Sequence, residues 1–250
     1  MVATHKDYWM PNDDVYVPIH VGAALSSKKL DFIGDNTGDN ISAKNKNYCE
    51  LTGLYWFWKN ISSDYIGLVH YRRYFVKDNF NLKNKKEKIL KRKDYETLLS
   101  NNEILLPKQR NYYIETNYSQ YIHAHHKEDL DTTRQIITEI YPNYVSSFDK
   151  VMNSTKGHRF NMFVMKKNIF DGYCNWLFDI LFELEKRLDI SNYSSYDARV
   201  FGFVSERLLD VFIDYQGLKY KDIPYVYLEK QNWCKKIFNF IKRKIICRGK

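Results

Sequence analysis

Cysteine is scarce in this sequence, and its placement argues against a cysteine-based framework. Only four cysteines occur in 250 residues, and no two of them have the short spacing typical of metal sites. Cys49 and Cys174 each lie within an apolar pattern of helical period, so we expect both to be small core residues. Unpaired cysteines of this kind are typical of a reducing compartment.

Long apolar runs are also missing. No stretch reaches the roughly 20 apolar residues that a membrane-spanning helix needs. The N-terminus has no apolar segment after a basic start, so a secretory signal is not expected. We therefore expect a cytoplasmic protein that is peripheral on the inner face of the cell membrane.

Acidic residues are outnumbered by basic ones, which gives a net charge of +9 and a pI near 9.1. This balance indicates a polyanionic neighbour, either nucleic acid, an anionic membrane or a phosphate-bearing substrate. Charge alone does not choose among the three. The 21 Tyr, 15 Phe and 5 Trp residues suit both a core and a cleft that stacks on sugar rings.

The last twenty residues contain no acid at all. Residues 231–250 include seven Lys and Arg residues, and Trp233, Phe240 and Ile245 fall on one side of a helical projection. This pattern predicts a basic amphipathic tail that lies on an anionic membrane surface, following a domain of residues 1–230. The alternative is a terminal helix packed on the core of that domain.

Strand and helix patterns alternate along the first seventy residues. Residues 1–4, 15–21 and 64–69 predict strands, and Ser42 predicts the N-cap of a helix that ends near Asn60. This order is typical of an open α/β sheet flanked by helices, in which ligands bind at the carboxyl ends of the strands.

Later segments extend the same sheet. Strands are predicted at residues 103–107, 160–165 and 225–228, and helices at residues 118–144 (two), 148–153, 168–187 and 198–215. Residues 77–96 are rich in Lys, Asn and Glu and predict a basic surface loop or lid, or else the solvated face of a charged helix.

The segment His70-Tyr71-Arg72-Arg73 is the strongest local signal for a site. It follows a predicted buried strand directly, so one imidazole and two guanidiniums lie at the edge of the sheet where a phosphate would bind. Arginine holds phosphate oxygens in pairs and keeps its charge in a partly dry site. The alternative is a surface ion pair.

Two further segments offer polar groups. Residues 35–42 form a Gly-containing loop before a helix, and Asp39 and Asn40 there suit sugar hydroxyls beside a helix N-terminus; a plain turn is the alternative. The His-rich segment 123–126 lacks a His-Glu-x-x-His pattern, so we predict no metal site, and His123 is the candidate to line a substrate cleft.

One carboxylate on the last long helix is a candidate base. Glu206 lies seven residues after Arg199, two turns along one helical face, with Gly202 between them. If it is partly buried, Glu206 has the basicity to deprotonate a substrate hydroxyl, and Asp197 is the competing base. The alternative is an ion pair of Glu206 with a neighbouring arginine.

Taken together, these segments resemble one family. The sequence is similar to the bacterial capsule and exopolysaccharide glycosyltransferases with an HYRRYF signature, which include galactofuranosyltransferases and were long catalogued as a domain of unknown function. The residues that carry the resemblance are Thr4-His5-Lys6, Met10-Pro11, Gly38-Asp39-Asn40-Ile41-Ser42, Asn45, Tyr48-Cys49-Glu50-Leu51-Thr52, Tyr55-Trp56, Trp58-Lys59-Asn60, His70-Tyr71-Arg72-Arg73-Tyr74-Phe75, Gln120-Tyr121, Asn161-Met162-Phe163, Trp176-Leu177-Phe178 and Arg199 through Arg207.

The resemblance implies a single-domain GT-A-like nucleotide-sugar transferase that takes a UDP-sugar donor. Thr4, His5 and Lys6 would lie near the nucleotide, and His70 with Arg72 or Arg73 would stabilise the leaving diphosphate. Related folds place a metal-binding Asp-x-Asp at the HYRR position, and this chain has no Asp there, so we predict metal-independent transfer without a cofactor.

The resemblance also implies an acceptor and a pathway. We expect a lipid-linked oligosaccharide of capsule, O-antigen or exopolysaccharide synthesis, contacted by residues including His123, Asn161 and Arg199. Two other functions are weighed against this one. A nucleic-acid-binding protein would explain the charge, but the cations concentrate in two segments, the first of them without interleaved aromatics, so we predict no nucleic-acid partner. A non-catalytic scaffold at the membrane surface is the second alternative.

Overall fold

The structure, a computed structural model, describes residues 1–78 and 82–229, so the predicted tail lies outside the described residues. The strands in this part of the chain are β1 (Val2–Thr4), β2 (Pro18–His20), β3 (Ile33–Gly34), β4 (Tyr65–His70), β5 (Arg73–Phe75), β6 (Ile104–Pro107), β7 (Arg110–Asn111), β8 (Lys156–Gly157), β9 (Phe163–Lys166), β10 (Lys221–Ile223) and β11 (Tyr225–Tyr227). The α-helices are α1 (Asn45–Tyr48), α2 (Leu51–Asn60), α3 (Arg92–Leu99), α4 (Asn117–Ile122), α5 (Lys127–Ile140), α6 (Val145–Asn153), α7 (Lys167–Arg187) and α8 (Val200–Gln216).

Seven strands form a mostly parallel sheet in the order β10-β6-β9-β4-β1-β2-β3. Strand β1 runs parallel to β2 and β4, and β3 runs parallel to β2. Strand β9 is antiparallel to both of its neighbours. A hairpin turns β4 back into β5, and β11 pairs antiparallel with β5. The carboxyl ends of β1, β2 and β4 therefore meet at one edge of the sheet, next to this hairpin.

Helices cover both faces of the sheet. The larger core lies under α1, α2 and α4 to α8, and the smaller one lies under α3, β5 and β11. On α7, the side chains of Phe170, Cys174, Leu177 and Leu181 are fully buried at intervals of three or four residues. Each such leucine contributes about 2 kcal/mol by leaving water. The predictions of this helix and of Cys174 as a core residue are confirmed.

The predicted strands coincide in position with most of the longer strands of this sheet, but their predicted lengths differ from the observed ones. The strand predicted at residues 15–21 is limited to β2, because Pro18 has no N–H and can stand only at the start of a strand. The strands missed from sequence (β3, β5, β7, β8 and β10) are only two or three residues long, too short for an alternating pattern.

The predicted basic loop at residues 77–96 is partly wrong. It contains the 3-10 turn Leu82–Lys88 and most of α3, whose Tyr95 is buried in the smaller core. Three of its eight cations have acidic partners among the described residues: Lys77 lies 2.9 Å from Asp94, Arg92 lies 2.8 Å from Asp14, and Lys88 lies 2.5 Å from Asp78. Part of the positive charge of this segment is therefore paired locally.

The single helix predicted from Ser42 to Asn60 is interrupted at Cys49. The backbone of Cys49 has φ 53°, in the left-handed region that side chains rarely adopt, and α2 begins two residues later. The Asn45 side chain stabilises this break, because its amide donates to the Cys49 carbonyl at 2.7 Å and to Thr52 Oγ1 at 2.9 Å. Glu50 stands between the two helices as a result.

The predicted N-cap role of Ser42 is also wrong. The buried Ser42 hydroxyl donates to the carboxylate of Asp35, which is fully buried as well. The same carboxylate accepts from the backbone N–H groups of Gly22 and Ala23, at 2.9 and 3.0 Å, and from Thr52 Oγ1 at 2.6 Å. Through these hydrogen bonds, Asp35 connects the loops after β2 and β3 to helix α2.

We expect Asp35→Asn to lower the free energy of unfolding by about 3 kcal/mol, because an amide nitrogen cannot accept the hydrogen bonds that one carboxylate oxygen receives. Urea titration followed by circular dichroism measures this loss. The matched control is Asp31→Asn, four residues earlier at an exposed position, which should change stability by less than about 0.5 kcal/mol. Equal stability of the two variants would contradict this role of Asp35.

Candidate active site at the carboxyl edge of the sheet

A cavity of about 280 Å³ opens where β1, β2 and β4 end. The residues that line it are Ala3, His5, Val21, Asn45, Lys46, Cys49, Glu50, His70, Arg72 and Arg199. Three of these side chains carry a fixed positive charge, and one is a carboxylate. The cavity is therefore a cationic pocket of the kind that binds phosphate groups.

The β4–β5 hairpin delivers two of the lining residues. Tyr71 and Arg72 form its two-residue turn, and the Tyr71 ring is buried, which fixes the turn against the sheet. Arg72 is thereby held at the cavity, where its Nη1 lies 3.3 Å from a Glu229 carboxylate oxygen. This ion pair is more than one-third exposed, so it restrains Arg72 only weakly.

His70 is neutral in this pocket. Burial, followed by the charges of Arg73 and Arg72, lowers the pKa of His70 to about 2. The backbone N–H of Arg72 donates to its Nδ1 at 3.3 Å, which leaves the ring proton on Nε2. His70 can therefore donate a hydrogen bond to a ligand, but it adds no positive charge to that of the arginines.

Arg199 approaches the same cavity from the opposite side. It lies in the 3-10 turn Asp197–Arg199 that precedes α8. Its Nε donates to Cys49 Sγ at 3.1 Å, and its guanidinium lies 5.3 Å from the centre of the Phe203 ring. Cys49, predicted as a core residue, is instead half-buried on the cavity wall, and burial raises its thiol pKa to about 11.

Arg73 does not line this cavity but lies close to it. Its guanidinium stacks 4.2 Å from the centre of the Phe160 ring, and its charge acts on both His70 and Glu50. Its Nη1 is buried and finds no hydrogen-bond partner among the described residues. A buried donor of this kind costs free energy until an acceptor reaches it.

Glu50 supplies the carboxylate of the cavity. Burial raises the pKa of Glu50 above its usual value, and the nearby charge of Glu206 acts in the same direction. Asn161 Nδ2 donates to Glu50 Oε1 at 2.9 Å, and Ser205 Oγ donates to Asn161 Oδ1 at 2.9 Å. The carboxylate is thus held in one orientation by a chain of hydrogen bonds that ends on α8.

Four residues predicted to bind the donor do not line this cavity, and Asp39 lies near the C-terminal end of α2, where Asn60 Nδ2 donates to its carbonyl at 2.8 Å. Thr4 is fully buried, and its hydroxyl donates to the Lys6 carbonyl at 2.6 Å. The Lys6 ammonium stands 5.2 Å from the centre of the Tyr71 ring. Asp39 accepts from the Tyr55 hydroxyl at 3.2 Å, and Asn40 donates to the Gly38 carbonyl at 2.9 Å. Donor contacts by Thr4, Lys6, Asp39 and Asn40 stay predictions.

The two predicted bases have different partners. The Glu206 carboxylate lies 3.2 Å from Arg207 Nη1, and its charge acts on Glu50. Asp197 accepts from Ser194 Oγ at 2.7 Å and lies 3.3 Å from His125 Nδ1. Burial opposes ionisation of Asp197, but these two partners hold its pKa below the usual value.

The acceptor residues predicted from sequence are dispersed. Arg199 lines the cavity, and Asn161 contacts the cavity residue Glu50, whereas His123 pairs with the buried carboxylate of Glu115 at 2.6 Å. Sequence reasoning gave no role to Glu50 or to the lining residue Asn45, although both stand in the segments that carry the family resemblance. No local signal in the sequence marks Glu50, because the helix break at Cys49 that places it at the cavity was not predicted.

A second cavity lies at the opposite edge of the sheet. It has a volume of about 520 Å³ and lies among Met1, Tyr16, Tyr65, Ile66 and Leu99 near the amino ends of β1 and β4. Its lining is mainly apolar. The cationic residues of the HYRR segment do not reach it, so it is not the candidate site for an anionic ligand.

The described part of the chain offers neither a cluster of metal ligands nor a membrane-spanning helix. Across residues 1–78 and 82–229, no group of three or more His, Cys, Asp or Glu side chains is arranged to hold a metal ion. No helix in this part of the chain combines the length and apolar character required to cross a bilayer. Metal-independent chemistry and peripheral membrane association stay predictions.

The mostly parallel sheet flanked by helices, with a cationic pocket at its carboxyl edge, is a glycosyltransferase fold, as predicted. Residues 1–217 match the family described as domain of unknown function DUF4422, and the chain belongs to this family. Over 92% of its length it is similar to the apo structure of the WbbM bifunctional glycosyltransferase, with 32% sequence identity and a TM-score of 0.85. The match covers 45% of the WbbM chain, so this chain spans less than half of that protein. No match was found among curated proteins.

Proposed function

We propose that this protein is a glycosyltransferase that moves a sugar from a UDP-sugar to a lipid-linked oligosaccharide in capsule, O-antigen or exopolysaccharide synthesis. The observation that carries the proposal is the cavity where β1, β2 and β4 end, which joins three fixed cations to one carboxylate. The similarity to a bifunctional glycosyltransferase supports the reaction class.

Arginine side chains replace a metal ion in the proposed mechanism. When the bond between the sugar and the diphosphate breaks, negative charge develops on the departing UDP. Arg72 and Arg199 are placed to stabilise that charge, and neutral His70 donates a further hydrogen bond. The unsatisfied Nη1 of Arg73 is a fourth donor within the same neighbourhood.

The attacking group is a hydroxyl of the acceptor. Glu206 or Asp197 takes the hydroxyl proton, the oxygen forms a bond to the anomeric carbon, and UDP leaves with the electron pair of the broken bond. Neither carboxylate lines the cavity: Glu206 pairs with Arg207 at 3.2 Å, and Asp197 pairs with Ser194 and His125, so both stay candidates for the base.

Galactofuranose is the proposed sugar, and transfer with inversion would give a β-linkage. The acceptor is proposed to be anchored in the inner face of the cell membrane, where the basic residues of the sequence between 231 and 250 would bring the enzyme to it. Binding to vesicles that contain anionic lipid, lost when residues 231–250 are deleted, is the expected behaviour.

A panel of UDP-sugars with synthetic lipid-linked acceptors tests the function and its metal independence together. We expect transfer from one donor and an unchanged rate when EDTA is added, because arginines stabilise the leaving group. Radiolabelled sugar in the lipid fraction gives the rate. Loss of all transfer on chelation would refute the metal-free mechanism, and absence of transfer from every donor would refute the function.

The alternatives predict different binding data. A nucleic-acid-binding protein would bind DNA or RNA with an affinity that falls steeply with salt. A scaffold would bind no nucleotide-sugar at all. We expect calorimetry to show UDP-sugar binding and no such affinity for nucleic acid.

A further inference from the structure

Glu50 and Asn161 form a hydrogen-bonded pair that has no role in the proposed leaving-group chemistry, yet the backbone around it adopts unusual angles. Four residues other than glycine have a positive φ in the described part of the chain, and three of them adjoin this pair: Cys49 at 53°, Phe160 at 80° and Asn161 at 50°. Each such conformation costs of order 1 kcal/mol and persists only where the surroundings hold it. Strain of this kind clusters at sites that bind or react.

The strain has a geometrical consequence on each side of the pair. On one side, the break at Cys49 ends α1 and turns Glu50 toward the cavity. On the other side, the turn at Phe160 brings the Asn161 amide within 2.9 Å of Glu50 Oε1 and 3.2 Å of the Gly202 carbonyl. Two segments more than a hundred residues apart therefore converge to fix one carboxylate.

The charge of the cavity separates into two parts. Arg72, Arg199 and neutral His70 suit a diphosphate, whereas Glu50 repels one. Asn161 is the one side chain that donates a hydrogen bond to Glu50 among the described residues. An ionised carboxylate accepts hydrogen bonds only, and sugar hydroxyls are donors of the required kind. A carboxylate beside a phosphate pocket is thus matched to the hydroxyl-bearing part of a nucleotide-sugar.

We infer that Glu50, oriented by Asn161, binds hydroxyl groups of the transferred sugar and determines which donor the enzyme accepts. This inference rests on the proposed function. The uridine diphosphate would occupy the cationic part of the cavity, and the sugar would lie against this pair. A sugar whose hydroxyls cannot reach Glu50 would leave a partly buried carboxylate without its donors, which is a strong basis for rejection.

Calorimetry with UDP and with a panel of UDP-hexoses in EDTA tests the inference on the full chain. We expect Glu50→Gln to weaken binding of the preferred UDP-sugar about 10- to 100-fold and not to weaken binding of UDP itself, because for UDP the substitution only removes a repelling charge. Retained UDP affinity also shows that the variant is folded. The matched control is Glu103→Gln, an exposed residue paired with Lys166, which should change neither affinity.

A second measurement alters the donor and compares wild-type protein with Glu50→Gln. Donors in which single sugar hydroxyls are replaced by fluorine cannot donate a hydrogen bond, and one of them should bind wild-type protein about 10-fold more weakly but bind Glu50→Gln as well as its parent does. Equal weakening of UDP and UDP-sugar by Glu50→Gln, unchanged donor affinity, or a fall in kcat alone would each overturn the inference. If wild-type protein binds neither UDP nor any UDP-sugar, the proposed function itself fails.

Discussion

Replacing Arg72 by alanine is expected to lower kcat/KM for sugar transfer by about 10²- to 10³-fold. The side chain stands at the tip of the β4–β5 turn and lines the cationic cavity, so its loss removes charge from the place where the leaving diphosphate becomes negative. Removing one preorganised donor to a developing anion has an effect of this size in other enzymes. Initial rates with a radiolabelled donor give the value.

The matched control for this variant is Arg134→Ala. Arg134 forms an exposed ion pair with Asp149 on the outer surface, with N···O distances of 2.7 Å, and it is distant in the fold from the carboxyl edge of the sheet. We expect its activity to stay within about twofold of wild type. If the two variants lose activity equally, the loss reflects stability rather than leaving-group stabilisation.

One buried histidine is expected to contribute stability that is lost at alkaline pH. His158 is 1% exposed and lies between Asp210, which contacts its Nδ1, and Asp222, whose carboxylate is 3.0 Å from Nε2. Although burial disfavours the imidazolium, these carboxylates raise the pKa of His158 to about 9. The folded state therefore binds a proton that the unfolded chain releases near its ordinary pKa of 6.5.

The sign of this linkage follows from the raised pKa. The stabilisation by the charged His158 is fully present below pH 6.5 and is lost as the pH rises through about 9. A shift of this size corresponds to about 3 kcal/mol. The buried Met1 ammonium, whose pKa burial lowers to about 5, changes wild-type stability in the opposite sense below pH 8. We therefore expect the difference in free energy of unfolding between wild type and Asp210→Asn, measured by urea titration at each pH, to fall by roughly that amount between pH 6.5 and pH 9.5.

A variant isolates the contribution of this pair. Asp210→Asn should lower stability at pH 6.5 by about 3 kcal/mol, because it leaves a buried imidazolium with one charged partner, and it should flatten the pH dependence. Asp149→Asn, on the exposed surface pair with Arg134, is the control that should keep the wild-type curve. A stability difference between wild type and Asp210→Asn that does not shrink between pH 6.5 and pH 9.5 would show that His158 is not charged in the folded protein.

The helical and strand periodicity predicted the sheet, its edge and the placement of the HYRR segment, because these depend on long buried patterns. Helix α7 and strands β4, β6 and β9 are such segments, because buried apolar residues recur along each of them. The similarity over 92% of the chain to a solved glycosyltransferase follows from the same regular elements.

The parts that the sequence did not reveal arise from contacts distant along the chain. Asp35 looked like part of a ligand-binding loop, yet it is a buried acceptor whose donors come from three separate segments. Glu50 became a candidate only because Asn161, 111 residues later, holds it at the cavity. The charge state of His70 likewise depends on its burial and on the nearby charges of Arg73 and Arg72. Burial of this kind cannot be read from residue spacing.

A crystal structure of the protein with UDP tests the central claim most directly. We expect the diphosphate to lie at the carboxyl ends of β1 and β4, with phosphate oxygens about 3 Å from the guanidinium of Arg72 or Arg199. UDP bound instead in the apolar cavity at the opposite edge, between Tyr16 and Tyr65, would contradict the assignment of the active site.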